Sequence, residues 1–325
     1  MIAATLFCRL SPVVLAVSPL FAQAPASGPS TPSPAVHQAV MAERYGKPYV
    51  MVTVNGHGPY RFIVDTGTGT DAFVTPELAD ILALPPVGQT GLSDPSGQGA
   101  RRTTLVQIDT LQFAGVTFSN VKALRHSILS EAGGCDGILG FTLFRDFLLT
   151  LDFPKHQLLL ETGALSPDGE KSVLPFRMPD GVPVAFLRID GVPPFEAQLD
   201  SGGGGLVLPE SLAKTLKYEV DPVVYAEGRS VSTKFQLKAA RLGSDVRFGR
   251  YTITHPVVAI HSAFPLANFG SPPMRNFAIT FDQKNLLVRF AAREKHFRLD
   301  VPPAPTSLNL QPTAHPTDPS LVPIG

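Results

Sequence analysis

Two short triplets, Asp65-Thr66-Gly67 and Asp200-Ser201-Gly202, carry the residue types most able to do chemistry in this sequence, and they stand 135 positions apart. Each follows an apolar run that would bring the carboxylate to the end of a strand. The hydroxyl of Thr66 or Ser201 is a ready hydrogen-bond partner. The glycine lets the backbone turn closely and leaves an amide free to point at the carboxylate. One Asp-Ser/Thr-Gly triplet arises by chance roughly once in ~2000 residues of average composition, so a single copy means little. Two at matching places in a repeat mean more, because a twofold arrangement would set the carboxylates side by side. Adjacent carboxylates cannot both ionise cheaply and hold one proton between them. The ionised member can then take a proton from water while the protonated one donates to a carbonyl oxygen, the general acid–base pairing for water attack on an amide. Which aspartate plays which part belongs to the coupled pair.

The elements that must position these groups come from an internal repeat. The same offset of 135 carries Gly56 to Gly191, Pro59 to Pro194, Gly69 to Gly204, Phe113 to Phe248 and Thr117 to Thr252. It also carries the alternating Val50, Val52 and Val54 onto Ala185, Leu187 and Ile189. Further on the offset becomes 130, placing Arg145-Asp146-Phe147 on Arg275-Asn276-Phe277 and Asp152 on Asp282, as loop residues lost from one copy would do. Two copies predict a pair of lobes about a pseudo-twofold axis. Within a copy, alternating YVMVTVNG turns at Asn55-Gly56 into YRFIVDTG, a hairpin. Thr75 to Leu82 and Pro209 to Leu216 each read as one short helix with Pro and Glu in the first turn. Phe144 to Asp152 with Leu158 to Leu160, and Phe277 to Phe281 with Leu286 to Phe290, read as closing hairpins.

The two strand-and-turn loops, FIVDTGTGT and AQLDSGGGG, resemble the active-site loops of pepsin-like and retropepsin-like aspartic peptidases, and DGILG at 136–140 resembles the segment that braces the first of them. The resemblance runs from about residue 45 to 292. It implies an all-β fold of two pseudo-twofold-related, barrel-like lobes with a few short helices, and an aspartic endopeptidase with Asp65 and Asp200 as catalytic residues. It further implies that Thr66 and Ser201 bond mutually, that Gly67 and Gly202 shape the loops, that Thr68 supports Asp65, and that Ile138, Leu139 and Gly140 brace. No cofactor or metal is implied. The substrate would be an extended peptide or unfolded protein. Three departures stand out: Gly203 takes the place of Thr68, Asn268-Phe269-Gly270 that of Ile138-Leu139-Gly140, and the expected flap, Gln89 to Arg102, lacks a tyrosine, while Tyr225 lies in the matching part of the second copy. They leave open a second reading, a protein of the same fold that binds a peptide or envelope partner without cutting it.

Composition sets the remaining bounds. The chain has 325 residues, 44% of them hydrophobic, with 27 basic against 27 acidic side chains. A formal charge of zero predicts no attraction to nucleic acid or anionic membrane. Many Pro, Gly and β-branched residues suit short strands and tight turns. Leu10 to Phe21 is an apolar run of export-signal length, followed by the small-x-small sites Ala22-Gln23-Ala24 and Ala24-Pro25-Ala26. We therefore expect a signal over 1–24, a Pro/Ser-rich linker over 25–44, lobes over 45–165 and 166–300, and a disordered Pro-rich tail over 301–325. The mature protein is expected to be monomeric, without a membrane span, and periplasmic or secreted. Of the two cysteines, Cys8 falls in the signal, and Cys135 is expected to be a buried thiol beside the bracing segment. The Gly67 to Ala72 stretch fits a loose dinucleotide fingerprint, but no βαβ alternation follows it. The histidines have no metal-ligand spacing.

Overall fold

A computed structural model describes residues 35–44, 46–93, 101–127, 135–229, 234–262, 265–301 and 313–314. The expected signal and most of the expected linker and tail lie outside the described residues.

The first copy opens with strands Lys47–Val54 and His57–Asp65, joined at Asn55 and Gly56 with φ of 48° and 79°. Both turn residues sit in the left-handed region that an Asn-Gly hairpin requires. The second copy repeats this with Val184–Ile189 and Phe195–Asp200, turning at Gly191. Val50, Val52 and Val54 face inward, as do their counterparts Ala185, Leu187 and Ile189. The period-two alternation thus packs one face of each hairpin on the core. The first helix, Pro76–Ile81, begins where Thr75 Oγ1 accepts from Leu78 N at 3.1 Å. Its counterpart is shorter, Glu210–Ala213, and Pro209 at its cap offers no side-chain acceptor. Long hairpins follow in both copies: Pro86–Ser93 with Arg101–Phe113, and Tyr218–Arg229 with Lys234–Leu242.

The expected closing hairpins form, and they do more than close each copy. Leu148–Asp152 with Gln157–Glu161, and Ala278–Asp282 with Leu287–Ala291, join into one sheet through antiparallel pairing of Leu148–Asp152 with Ala278–Asp282. Thr150 faces Thr280, its equivalent under the offset of 130, and their hydroxyl oxygens are 2.8 Å apart. A local twofold axis therefore passes between them. The outer strands of this six-stranded sheet are Val36–Val40 and Val173–Pro175.

Strand pairing also reaches into the expected linker and tail. The linker expected through residue 44 already contains Val36–Val40, which pairs with Gln157–Glu161, and Ala42–Arg44, which pairs with Lys47–Tyr49. Neighbouring prolines and serines hid a strand whose partner lies more than a hundred residues away. In the expected tail, Thr313–Ala314 pairs with Leu92–Ser93.

Aromatic packing fills both copies. Phe113, Phe118 and Phe144 pack together in the first; Phe248, Tyr251, Phe269, Phe277 and Phe290 form the larger cluster of the second. Each such fully buried ring contributes about 1.5–3 kcal/mol through burial.

Candidate active site

Phe62, Ile63 and Val64 are buried, and they carry Asp65 into the interior at the end of its strand. Beside it runs the bracing strand Gly137–Gly140, parallel, with Ile63 opposite Ile138, Val64 opposite Leu139 and Asp65 opposite Gly140. The second copy matches it: Gln198 faces Asn268, Leu199 faces Phe269 and Asp200 faces Gly270. Gly140 must be glycine, since a Cβ there would lie 1.9 Å from the Thr70 carbonyl oxygen.

The two loops meet by four crossed hydrogen bonds. Thr66 N donates to Ser201 Oγ at 3.0 Å, and Ser201 N donates to Thr66 Oγ1 at 2.9 Å. Thr66 Oγ1 donates to the Leu199 carbonyl and Ser201 Oγ to the Val64 carbonyl, each at 2.7 Å. Each hydroxyl thus uses its donor and an acceptor lone pair across the axis, and all four groups are buried and satisfied.

The glycines then seat the carboxylates. Gly67 N donates to Asp65 Oδ1 at 2.8 Å, and Gly202 N to Asp200 Oδ1 at 2.9 Å. A Cβ on Gly67 would lie 2.4 Å from Asp200 Cγ, and one on Gly202 would lie 2.3 Å from Asp65 Oδ2. Each glycine therefore holds its own aspartate and packs against the other, which brings the carboxylates together. Both are buried. Burial, and then the neighbouring Asp200 charge, hold the Asp65 carboxyl well above its ordinary range. Thr68 is also buried; its N donates to the Asp65 carbonyl at 3.2 Å and its own carbonyl accepts from Phe141 N.

Two residues at this site escaped sequence reasoning. Asn268 Nδ2 donates to Asp200 Oδ2 at 2.6 Å. The space is open because residue 203 is glycine: a Cβ there would be 2.5 Å from Asn268 Oδ1. The departures at 203 and 268 are thus one compensating exchange between the loop and the bracing strand beside it, and its signal was that both had stood out as departures from the first copy. The second residue is Lys47, 2% exposed, whose Nζ donates to the Gly202 carbonyl oxygen. Burial pushes its ammonium below the ordinary value, against the attraction of Asp65 and Asp200. Its counterpart at the offset of 135 is Val182, so the repeat gave no hint of it.

Cys135 is buried at the head of the bracing segment, its Sγ donating to the Gly137 carbonyl. Burial pushes the thiol up to about 11, which leaves it protonated and a poor nucleophile. Asp152 and Asp282 cap turns, accepting from Lys155 N and Asn285 N. The expected flap falls on the hairpin Pro86–Ser93 with Arg101–Phe113, and its residues 94–100 lie outside the described residues. Tyr225 lies in the matching hairpin, half-buried, with burial pushing its phenol up to about 12. Among the described residues, no group of three His, Cys, Asp or Glu side chains could hold a metal ion, and no helix is long and apolar enough to cross a membrane.

A family model described as aspartyl protease matches residues 50–143, which span the first aspartate loop, the first long hairpin and the bracing strand. With the mostly β, repeated fold, this match supports an aspartic peptidase family for the chain, and a protease-like function with it. No curated protein matches the sequence.

Proposed function

We propose that the protein is an aspartic endopeptidase in which a water held between Asp65 and Asp200 attacks the carbonyl of a peptide bond. The observation that carries this reading is the crossed pairing of Thr66 with Ser201, which fixes two buried carboxylates against each other. The pair keeps one proton. Its ionised member takes a proton from the water as the oxygen bonds to the carbonyl carbon, and its protonated member donates to the carbonyl oxygen. Collapse of the tetrahedral species breaks the C–N bond, the leaving amine takes a proton from the pair, and no acyl-enzyme forms. Thr66, Gly67, Thr68, Ser201 and Gly202 support the dyad, Ile138, Leu139 and Gly140 brace it, and no cofactor enters.

The substrate is an extended peptide or unfolded protein, held through main-chain hydrogen bonds under the hairpin at 86–113. The apolar run at 10–21 and the small-x-small sites after it favour export, with a monomeric mature protein in the periplasm or outside the cell. A binding role without cleavage drew its support from Gly203 and the altered bracing segment, and the Asn268 bond to Asp200 weakens that support. The test is cleavage of an unfolded protein across a pH series, with and without a statine-containing inhibitor, beside Asp65→Asn and Asp200→Asn. Inhibitor-sensitive cleavage that is lost in both folded variants is expected. Undiminished cleavage in either variant would overturn the proposal.

A further inference from the structure

Gly202 touches three ionisable groups at once. Its N donates to Asp200 Oδ1, its Cα face lies against the Asp65 carboxylate, and its carbonyl oxygen accepts from Lys47 Nζ. The equivalent residue of the other loop, Gly67, has the first two relationships in mirror form, donating to Asp65 Oδ1 and packing on Asp200. The third differs: the Gly67 carbonyl accepts from the neutral Gln198 Nε2 at 3.0 Å. The two glycine amides therefore treat their carboxylates alike, while the two glycine carbonyls differ, one meeting a buried cation and the other a neutral amide.

We propose that Lys47 is a positioning residue of the aspartate pair, its buried ammonium anchored on Gly202 and setting the pH range in which Asp65 and Asp200 share a single proton. A buried pair with one proton carries a net negative charge, which is costly away from water unless a cation compensates it. Lys47 supplies that charge from a buried position on the Gly202 carbonyl, so it acts through the aspartates. Without it the pair would hold both protons to higher pH. A neighbouring opposite charge moves a carboxyl down by about 1–3 pH units.

The ionisable groups whose charges act on Lys47 come from three elements: Asp65 at the end of His57–Asp65, Asp200 at the end of Phe195–Asp200, and Cys135 at the head of the bracing segment. Cys135 in turn faces Asp136 and Arg61. The thiol is uncharged over the working range, so the aspartates are the anions that Lys47 answers. Lys47 also ties the turn before the first hairpin strand to the second copy's loop, which a merely structural role would explain equally well. The two roles separate by titration.

The experiment follows the carboxyl 13C resonances of Asp65 and Asp200 against pH in the unaltered protein, Lys47→Met and Lys47→Gln. Both proton-release steps are expected to move up by about a unit or more in each folded variant. A folded variant whose carboxyls titrate as before would overturn the inference and leave Lys47 a structural tie. Should neither variant fold, the unaltered protein still answers, since the 13Cε resonance of Lys47 must shift with the midpoint of the aspartates. A Lys47 resonance indifferent to that midpoint would overturn it. The proposal deepens the peptidase reading, yet these readouts do not need cleavage. A protein that cuts nothing fails the proposed function while the titration still decides the role of Lys47.

Discussion

Asn268 holds Asp200 from the bracing strand, its Nδ2 only 2.6 Å from Asp200 Oδ2, in the gap that Gly203 leaves open. In the first copy the equivalent of Asn268 is the apolar Ile138, and the equivalent of Gly203 is Thr68. A polar group has moved from loop to neighbouring strand, and the space it needs has moved with it. Asn268→Leu removes a buried hydrogen bond to one member of the aspartate pair, at a cost of about 1–3 kcal/mol. The expected outcome is a fall in kcat of about 10- to 100-fold, measured on an unfolded-protein substrate. Combining Asn268→Ile with Gly203→Thr recreates the first copy's arrangement and should recover part of the loss. No recovery would show that the exchange is not reciprocal.

Removing the buried charge at Asp65 should stabilise the fold in a pH-dependent way. Its carboxyl is held above the ordinary value of 3.8, so the folded state binds the proton more tightly than the unfolded chain. That contribution is complete below the ordinary value and is lost as pH rises through the folded-state value. Asp65→Asn should therefore melt higher than the unaltered protein at neutral pH, with the gap closing towards pH 3. A constant gap across the series would mean that the charge is not what the fold resists.

The crossed bonds should behave as one unit. Thr66→Val leaves Ser201 N and the Leu199 carbonyl without these partners, and Ser201→Ala does the same to Thr66 N and the Val64 carbonyl. Each substitution should cost about 1–3 kcal/mol by denaturant unfolding. The double variant should cost less than the sum, with a coupling of at least about 0.5 kcal/mol. Strict additivity would contradict a shared network.

His261 gives the second copy an acid-sensitive point on a strand other than those that carry the aspartates. It is buried on strand Val257–His261, and burial lowers its imidazole from 6.5 to about 4. A lowered value means that the folded state prefers the neutral ring, so stability is full above pH 6.5 and is lost as pH falls towards 4. The loss amounts to at most about 3 kcal/mol. His261→Gln should flatten that part of the stability profile, as read by thermal melts between pH 7 and 4. An unchanged slope would assign the acid sensitivity to other groups.

Much of the architecture was legible because it is written twice. The hairpins at Asn55-Gly56 and Gly191, the short helices and the closing hairpins all follow from local alternation and turn chemistry that recurs at a fixed offset. Cys135 and the turn aspartates 152 and 282 were legible for a similar reason, since their neighbours in sequence are also their neighbours in space. The strand Val36–Val40 was not. Its pairing with Gln157–Glu161 depends on a partner far along the chain, and Pro/Ser-rich neighbours gave it the look of a linker.

By itself, the sequence determined that two Asp-Ser/Thr-Gly turns sit at equivalent ends of apolar strands in a repeated β unit, because alternation, turn residues and apolar runs act over a few residues. Tertiary structure alone decided that the copies share one six-stranded sheet through Thr150 and Thr280, that Asn268 rather than a loop hydroxyl supports Asp200, and that Lys47 lies buried behind the pair. Those outcomes depend on which chain segments approach one another and on the charge balance of a site closed to water. A lysine near the start of a strand reads as solvated until the fold removes its solvent.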